Sequence, residues 1–379
     1  MKKILILTFE FPPIHGGIAT YVSQLALAAH EIGHEITVVA PQFGKDFRES
    51  DKNDYPYRVI RYDSSPAFFR KWPSLIGQTR FHAKPSEYDI IHAADWPHIF
   101  ALGLLNKFKP IPFTATLYGG EILAVIGSKR PKHLLVQRYF EIPRHIYAIS
   151  EYTRSLIIER CPRIPRDRIS VALMGVNSAM FESPSGDRNI RSEFSIPEDH
   201  RIILTLARLD PRKGHRLVLK AIRQMPESIR QKVAYLIVGG GIDQSYIDEL
   251  HELADLCGTR VIFTGPAPKD QVKSLYAAAS IFCMPGEPHQ RKVEGFGLAY
   301  LEAAAQGVPA IAGRIGGIPE AVLHEKTGLL VEPQNEAALT GALMRLLTDE
   351  SYRRALGRSA REYAGTFTWK RCVEQTYGK

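Results

Sequence analysis

The chain has 379 residues, 45% hydrophobic and 23% charged, which is ordinary for soluble globular domains and suggests two or three of them. No apolar run approaches the roughly 20 residues of a membrane-spanning helix, and the four cysteines lack the spacing of a zinc site or disulfide framework, which favours a cytoplasmic location. The net charge of +9 fits an anionic substrate or membrane better than nucleic acid, because no nucleic-acid-binding motif occurs.

The chain opens with a strand, a glycine loop, a helix and a second strand. Residues 4–8 form a short apolar strand, Gly16 and Gly17 lie in the loop, and a helix over 18–30 precedes a strand over 35–40. Parallel α/β folds bind ligands at the carboxyl ends of their strands, so both glycines are candidate ligand contacts. A plain tight turn is the alternative. The loop lacks a complete G-x-G-x-x-G and does not predict a nicotinamide dinucleotide site.

The rest of the first half alternates strands with helices after an irregular stretch over 43–88. The predicted elements are strands at 88–92, 113–117, 145–150 and 171–177, with helices near 98–108, 132–141 and 151–159. The polar segment 182–200 then predicts a linker and a domain boundary at 183/184.

The second half repeats the alternation of strands and helices. Its predicted elements are strands at 201–206, 235–238, 261–264, 281–284, 309–312 and 328–331, with helices from about 215, over 269–278 and within 335–364. Two successive α/β halves predict two doubly wound domains that face a cleft.

One stretch, residues 291–302, carries the strongest indication of chemistry. Glu294 and Glu302 are separated by seven residues, and Gly295 and Gly297 follow the first of them. We predict a loop that carries Glu294 and a helix that begins near Phe296 or Gly297. Free amides at such a helix start bind a diphosphate. Glu302 would then contact a ribose, and Glu294 would face the group beyond the phosphates. An ordinary loop and helix with a solvated glutamate is the alternative.

Two cations, Arg208 and Lys213, follow the first strand of the second half. At the carboxyl end of a strand they would bind the same diphosphate, and solvated surface charges are the alternative. The chain contains no Asp-x-Asp motif and no P-loop, so we expect no metal and disfavour phosphoryl transfer. These cations and the helix start would stabilise the charge on a departing nucleotide diphosphate.

Several further motifs accompany this constellation along the whole chain. They are PPIHGGIATYV at 12–22, ISEYTRSLI at 149–157, LMGVN at 173–177, RLDPRKG at 208–214, VGGG at 238–241, FTGP at 263–266 and GVPAIAGRIGGIPEAV at 307–322. Together with Glu294 and Glu302 they make the chain resemble the retaining glycosyltransferases of family 4, which have the GT-B fold. Val293-Glu294-Gly295 and Ala312-Gly313-Arg314 look most similar to the phosphatidylinositol-mannoside mannosyltransferase group.

The resemblance implies an acceptor-side domain over 1–183 and a nucleotide-sugar-binding domain over 184–364. A helix over about 365–379 would cross back to the first domain. It also implies a role for each matching residue. Amides of Gly16 and Gly17 approach the donor diphosphate, and Arg208 and Lys213 bind it. Glu294 contacts donor-sugar hydroxyls, and Glu302 holds the ribose. The phosphates and the sugar are bordered by Phe296, Gly297 and Leu298. Arg208, Lys213 and Glu294 are the expected catalytic group.

The sequence departs from the family pattern at one position. Many members have His-Gly where this chain has Tyr118-Gly119, and that histidine is thought to lie beside the reacting sugar. Tyr118 offers a hydroxyl in its place, with its role open. His92 is the second candidate for a contact with sugar or acceptor.

The resemblance implies a retaining, metal-independent transfer of a hexose, with mannose a candidate, from a GDP- or UDP-sugar. The acceptor would be a glycan or a lipid-linked molecule of cell-envelope or exopolysaccharide synthesis, and no further cofactor is expected. Two alternatives stay open. One is a GT-B relative that hydrolyses or epimerises the nucleotide sugar, and the other is a non-catalytic nucleotide-sugar sensor.

Peripheral contact with an anionic membrane at its cytoplasmic face is a separate hypothesis. Residues 129–168 contain ten Lys or Arg against four Asp or Glu, and FFRKW at 68–72 combines aromatic and basic side chains. The alternative is a solvated basic face.

Overall fold

A computed structural model describes residues 1–14, 16–65, 71–126, 137–184, 189–289 and 291–378. The chain forms two compact units, one of Met1–Gly175 with Thr368–Lys379 and the other of Val176–Phe367. Each unit is built on one parallel sheet, seven-stranded in the first and six-stranded in the second. The predicted class of two doubly wound, Rossmann-like α/β domains is confirmed.

The first sheet has the strand order β3-β2-β1-β4-β5-β6-β7. Its strands are β1 Lys3–Leu7, β2 Glu35–Pro41, β3 Arg58–Tyr62, β4 Ile90–Ala93, β5 Thr114–Leu117, β6 His145–Ala148 and β7 Ile169–Val171. Strand β1 lies between β2 and β4, with Ile4 paired to Ile36 and to Ile90. Residues 4–7 are fully buried, which explains why this strand is a continuous apolar run.

Helices cover this sheet and return the chain to the amino end of the next strand. They are α1 Gly17–Glu31, α2 Arg48–Asp54, α3 Lys71–His82, α4 Trp96–Leu105 and α5 Glu151–Arg160. Shorter helical turns are formed by Ile122–Ile126, Arg138–Glu141, Arg166–Arg168 and Ser178–Phe181, the last in the second unit. Asp95 and Ser150 start α4 and α5 by accepting backbone N–H groups, as N-caps do.

The second sheet has the order β10-β9-β8-β11-β12-β13. Its strands are β8 Arg201–Leu206, β9 Val233–Val238, β10 Arg260–Gly265, β11 Ile281–Met284, β12 Ala310–Gly313 and β13 Gly328–Val331. Its helices are α6 Ile190–Glu193, α7 His215–Arg223, α8 Glu227–Arg230, α9 Gln244–Asp255, α10 Lys269–Ala278, α11 Leu298–Ala305, α12 Ile318–Ala321, α13 Glu336–Thr348 and α14 Glu350–Ala364. The order reverses between β8 and β11, the topological switch point at which α/β sheets bind ligands.

The last helix, α15 Trp369–Tyr377, belongs to the first unit, as predicted for the C-terminal helix. It packs on α1, where the Trp369 and Tyr21 rings are 5.9 Å apart. Gly175 allows the start of α15 to lie close to the segment after β7, because a Cβ there would lie 2.2 Å from the Trp369 amide nitrogen. The chain thus returns to its first domain after the second is complete.

Some sequence predictions were wrong in detail. The stretch 43–88, predicted as irregular, contains α2, β3 and α3. Strand β3 is an edge strand whose charged residues Arg58 and Arg61 interrupt its apolar pattern, so periodicity misses it. The predicted strand over 171–177 continues only to Val171. Residues 68–70 of the aromatic and basic segment, and 132–136 of a predicted helix, lie outside the described residues.

The predicted linker and the structural boundary differ in position. The chain changes unit between Gly175 and Val176, whereas the sequence placed the boundary at 183/184. The Val176 amide donates to the Phe367 carbonyl at 2.9 Å, and the Gln306 side chain donates to the Glu182 carbonyl at 3.0 Å. These bonds attach residues 176–182, up to the start of the polar segment, to the second unit.

In the part of the chain that the structure describes, no helix combines the length and apolar character needed to span a membrane.

Candidate active site

Three successive glycines after β9 support the loop that carries Arg208. A Cβ on Gly239 would lie 1.9 Å from the Ala207 carbonyl oxygen, so only glycine permits this approach. The Leu209 amide donates to the Gly240 carbonyl at 2.8 Å, and Gly241 packs on the Leu209 side chain. The VGGG motif therefore fixes the turn that follows β8.

The two arginines of this turn differ in whether an acidic side chain pairs with them. Asp210 accepts the Arg212 amide at 3.0 Å, which starts the helical turn Pro211–Lys213, and it also pairs with the Arg212 guanidinium at 3.0 Å. Arg208 is exposed and has no ion-pair partner among the described residues. Asp210 neutralises Arg212 and leaves Arg208 available for an anion.

Lys213 connects this turn to the loop that carries Glu294. Its Nζ lies 2.5 Å from Glu294 Oε2, and the two side chains are only 16% and 28% exposed. The loops also meet through their backbones, because the Glu287 amide donates to the Arg212 carbonyl at 2.8 Å. Gly214, at φ +79°, has no room for a Cβ beside Pro285. The predicted convergence of Lys213 and Glu294 therefore occurs at one edge of the sheet.

The backbone of Glu294 rests on a pair of glycines after β12. A Cβ on Gly317 would lie 2.0 Å from the Gly295 carbonyl oxygen, and one on Gly316 would lie 2.3 Å from that of Glu294. The Gly317 amide donates to the Glu294 carbonyl at 3.0 Å. The Gly-Gly of the GRIGGIPEAV motif thus positions the Glu294 loop, a role that the sequence alone did not reveal.

Helix α11 begins one residue later than its predicted start region. Gly297 is its N-cap at φ +105°, a conformation that favours glycine, and Leu298 is the first helical residue. No backbone carbonyl of the described residues accepts from the amides of Gly297, Leu298 and Ala299. The side chain of Phe296 is buried against Phe367, so only its backbone can border a ligand. The helix start retains the free donors that a diphosphate requires.

Glu302 lies just over one turn into α11. It is partly buried, and the Tyr276 hydroxyl of α10 donates to its Oε2 at 3.1 Å. Burial raises the pKa of Glu302 to about 7, although the hydrogen bond from Tyr276 lowers it in part. The carboxyl therefore changes charge near neutral pH.

In the first unit, Gly16 and Gly17 lie where β1 leads into α1. Gly16 is the N-cap of the helix, and a Cβ on Gly17 would meet no atom within 4 Å. Arg61 braces the preceding turn, since it donates to the Pro12 carbonyl at 2.6 Å and pairs with buried Asp51 at 2.7 Å. The two glycines lie at a carboxyl strand end, and their contact with a diphosphate stays a prediction.

The side chain of Tyr118 is held inside its own unit. Its hydroxyl donates to the Ala94 carbonyl at 2.8 Å, and its ring contacts Tyr21 edge-on at 5.4 Å. Burial raises the pKa of Tyr118 well above its ordinary value. Glu121 accepts the Tyr118 amide at 2.5 Å, and burial raises the pKa of Glu121 to about 7. The Tyr118 hydroxyl, the predicted substitute for the histidine of other family members, is therefore already hydrogen-bonded to Ala94.

His92 is a core residue, and its burial argues against the predicted contact with sugar or acceptor. It is fully buried in β4, and its two ring nitrogens lie 3.0 Å from the hydroxyls of Thr114 and Thr116 on β5. Burial lowers the pKa of His92 to about 3, so the ring stays neutral. Its two hydrogen bonds explain a polar residue inside a strand.

Within the described ranges, no three His, Cys, Asp or Glu side chains are grouped as metal ligands would be.

Comparison with known proteins gives a consistent assignment along the chain. The family described as Glycosyltransferase Family 4 matches residues 15–179, and that described as Glycosyl transferases group 1 matches residues 186–363. The GDP-mannose-dependent alpha-(1-6)-phosphatidylinositol monomannoside mannosyltransferase of Mycobacterium tuberculosis is 31% identical over 389 aligned positions, which cover 98% of this chain and 95% of that protein. The chain belongs to glycosyltransferase family 4.

Another relative and a solved structure extend the comparison. The D-inositol 3-phosphate glycosyltransferase of Corynebacterium efficiens is 34% identical across 76% of this chain and 70% of its own length. The crystal structure of Anabaena HepE in complex with UDP and glucose superposes with a TM-score of 0.81 at 21% identity, covering 99% of this chain and 98% of HepE. The fold is GT-B, and the family-4 chain is a hexosyltransferase.

The family-4 site that sequence analysis predicted is brought together only in part. Lys213, Glu294 and the start of α11 meet in the second unit, next to the turn that carries Arg208. The sequence did not reveal the roles of Asp210, Gly316, Gly317 and Tyr276, which contact the backbone or side chains of predicted residues. Asp210, Gly316 and Gly317 lie in the quoted motifs, which do not reveal their individual roles, and Tyr276 lies within helix α10 without a local signal.

Proposed function

We propose that this chain is a retaining, metal-independent transferase that moves a hexose from a nucleotide-diphosphate sugar to a glycan or lipid-linked acceptor. The Lys213–Glu294 contact carries the proposal, because it joins a cation for the diphosphate to a carboxylate for sugar hydroxyls. Arg208 and the free amides of Gly297 and Leu298 belong to the same two loops. Together they supply positive charge where a diphosphate leaving group becomes more negative.

Each donor group has a distinct proposed action. The Arg208 fork and the Lys213 ammonium bind phosphate oxygens, and the start of α11 donates N–H bonds to the same anion. Glu294 orients the sugar through its hydroxyls, and Glu302 accepts from the ribose. This set would stabilise the departing diphosphate by cations and dipoles alone, which supports a metal-independent reaction.

The donor proposed first is GDP-mannose. The relative at 31% identity is named as dependent on GDP-mannose and acts on a phosphatidylinositol mannoside, which supports mannose and a lipid-linked acceptor. HepE was crystallised with UDP and glucose, so UDP-sugars are the second class of donor to test.

The experiment combines donor screening with product analysis. Thermal shifts with GDP-, UDP- and ADP-sugars identify the donor, because a bound ligand raises the unfolding temperature. Proton NMR of the product made with that donor should show retained anomeric configuration, and EDTA should leave the rate unchanged. Inverted product, or activity lost to EDTA and restored by magnesium, would contradict the proposal. Sugar release or epimerisation without acceptor would favour a hydrolase or epimerase, and donor binding without any product would favour a sensor.

Contact with an anionic membrane at its cytoplasmic face is a further part of the proposal. Arg138, Arg144 and Arg166 are exposed, whereas Arg154 and Arg160 pair with neighbouring glutamates at 3.4 and 3.1 Å. These three arginines have no ion-pair partner in the part of the chain that the structure describes and would contact lipid phosphates, whereas the pairs reduce the net charge of this face. Sedimentation with vesicles of anionic and zwitterionic lipid tests it, and equal binding to both would contradict membrane attraction by charge.

A further inference from the structure

The Lys213–Glu294 pair joins the two groups that the proposed function assigns to different parts of the donor. In the free protein they bind each other at 2.5 Å, and both are largely withdrawn from solvent. Solvent screens such a pair less than a surface ion pair. A diphosphate that takes Lys213 must therefore offset the loss of this contact.

The backbone of Glu294 is held in place when Lys213 turns to a phosphate. The Glu294 carbonyl is bonded to the Gly317 amide at 3.0 Å, and the Gly316 and Gly317 backbones are in close contact with residues 294–295. The Glu294 backbone thus stays in place, and its carboxylate remains within side-chain reach of the incoming anion. No second cation contacts Glu294 among the described residues, so its replacement partners are ligand groups or solvent.

Donor and product differ in what they offer this carboxylate. A nucleotide sugar presents hydroxyl groups that donate to Glu294 in place of Lys213. A nucleoside diphosphate has no such hydroxyls beyond the phosphates, and its terminal phosphate carries additional negative charge. The carboxylate is therefore satisfied by the donor and repelled by the product.

We propose that Glu294 makes the site selective for the sugar-loaded nucleotide over the spent nucleoside diphosphate by competing with phosphate for Lys213. This inference rests on the proposed function and adds discrimination between substrate and product to it. After transfer, Glu294 binds Lys213 again and displaces the nucleoside diphosphate. The fixed position of its backbone keeps the carboxylate within reach of Lys213 for that return.

The test measures affinities of Glu294→Gln without acceptor, for GDP with GDP-mannose and for UDP with UDP-glucose. Glutamine has nearly the same shape but no charge to compete for Lys213. The nucleoside diphosphate should bind about tenfold more tightly than to the wild type, the size of one charge-assisted hydrogen bond. The nucleotide sugar should bind no more tightly, so the preference for donor over product falls by at least that factor. An unchanged or weaker nucleoside diphosphate affinity would overturn the inference.

A matched control removes a carboxylate from another ion pair of the same unit. Glu332 pairs with Arg314 at 3.0 Å outside the Glu294 loop, and Glu332→Gln should leave the ratio of the two affinities unchanged. An equal shift in this control would assign the effect to overall charge and overturn the inference. If Glu294→Gln does not fold, Glu294→Asp, which shortens the side chain and weakens the pair, should shift the ratio in the same direction. No shift there would also overturn it.

Failure of the proposed function has a different signature. A wild-type protein that binds no nucleotide sugar, or never transfers the sugar, contradicts the function before any variant is made.

Discussion

Three basic residues at the carboxyl edge of the second sheet differ in whether an acidic side chain already neutralises their charge. Arg212 is neutralised by Asp210 at 3.0 Å and Lys213 by Glu294 at 2.5 Å, whereas Arg208 is exposed without an ion pair among the described residues. Arg208 is consequently the cation that a ligand can engage without breaking an existing contact. Its contribution should be the easiest of the three to isolate.

Replacing Arg208 by alanine tests that contribution directly. Removal of one preorganised group that stabilises transition-state charge costs about 10²- to 10³-fold in kcat, and we expect Arg208→Ala to fall in this range. Steady-state rates with saturating donor measure it. The control is Arg201→Ala, at the amino end of the same strand and paired with Glu350, which should keep the wild-type kcat. Equal losses in both variants would show that Arg208 acts through stability and not at the site.

The ionisation of Glu302 predicts a pH-dependent donor affinity. Burial raises the pKa of Glu302 to about 7 from an ordinary value of 4.5. Ribose hydroxyls donate to the ionised carboxylate, so donor affinity should rise as the pH increases through about 7 and level off above it. Calorimetry with a nucleotide sugar measures this, since its diphosphate does not titrate there. Glu302→Gln should flatten the profile, and a variant that keeps the wild-type profile would contradict the assignment.

The same carboxyl should affect stability in the opposite sense. The folded state holds a proton on Glu302 between about pH 4.5 and 7 that the unfolded state releases. This contribution to the unfolding free energy is therefore full below about 4.5 and is lost as the pH rises through about 7. The Glu302→Gln variant should lack this part of the pH dependence of its unfolding midpoint. A midpoint with the wild-type pH slope in this interval would show that another group titrates.

At the level of elements, close contacts between loop backbones position the site. Gly317→Ala would place a Cβ 2.0 Å from the Gly295 carbonyl oxygen, and a rigid backbone must move to admit it. We expect the Glu294 loop to shift and kcat/KM to fall about 10²-fold, the usual cost of a misplaced catalytic group. Activity and hydrogen exchange over residues 291–297 measure the two effects.

Helix α13 offers the matched control for that substitution. Gly341 is exposed, and a Cβ there would meet no atom within 4 Å. Gly341→Ala should leave activity unchanged and raise stability by about 0.5–1 kcal/mol, because alanine loses less backbone entropy in a helix. If Gly317→Ala behaved like Gly341→Ala, the loop contact would not control the position of Glu294.

The elements also show why part of the structure was predictable. Buried strands such as β1 and β9 are continuous apolar runs, so local pattern indicates both their type and their place in a parallel sheet. Strand β3 lies at an edge and keeps its arginines, so no local pattern marks it. Glu294 and Lys213 could be named from motifs, but the Gly316-Gly317 support and the threonines around His92 depend on contacts between distant segments. Sequence periodicity carries no information on such contacts.

On the scale of the whole molecule, helix α15 completes the first unit from the far end of the chain. Trp369 is 7% exposed and lies against Tyr21 of α1. Trp369→Ala should lower the stability of the first unit by about 3–5 kcal/mol, because it removes a large buried side chain. Hydrogen exchange should accelerate over α1 and stay unchanged around Lys213 and Glu294. Lys370→Ala, an exposed change on the same helix, should leave both regions as in the wild type.

A Trp369→Ala protein that exchanged faster in both units, or in neither, would contradict this assignment of α15. The expected pattern separates the stability of the first unit from the geometry of the donor-binding loops in the second.

The return of the chain to its first unit also has a consequence for synthesis on the ribosome. Residues 176–367 form one continuous segment, whereas the first unit requires residues 368–377 as well as 1–175. Domains usually complete folding in the order in which they are translated. Here the order is reversed, since the earlier domain keeps an uncovered α1 until residues 368–377 have been synthesised. Chaperones that protect nascent chains should therefore bind the amino-terminal part of this protein longer than its middle.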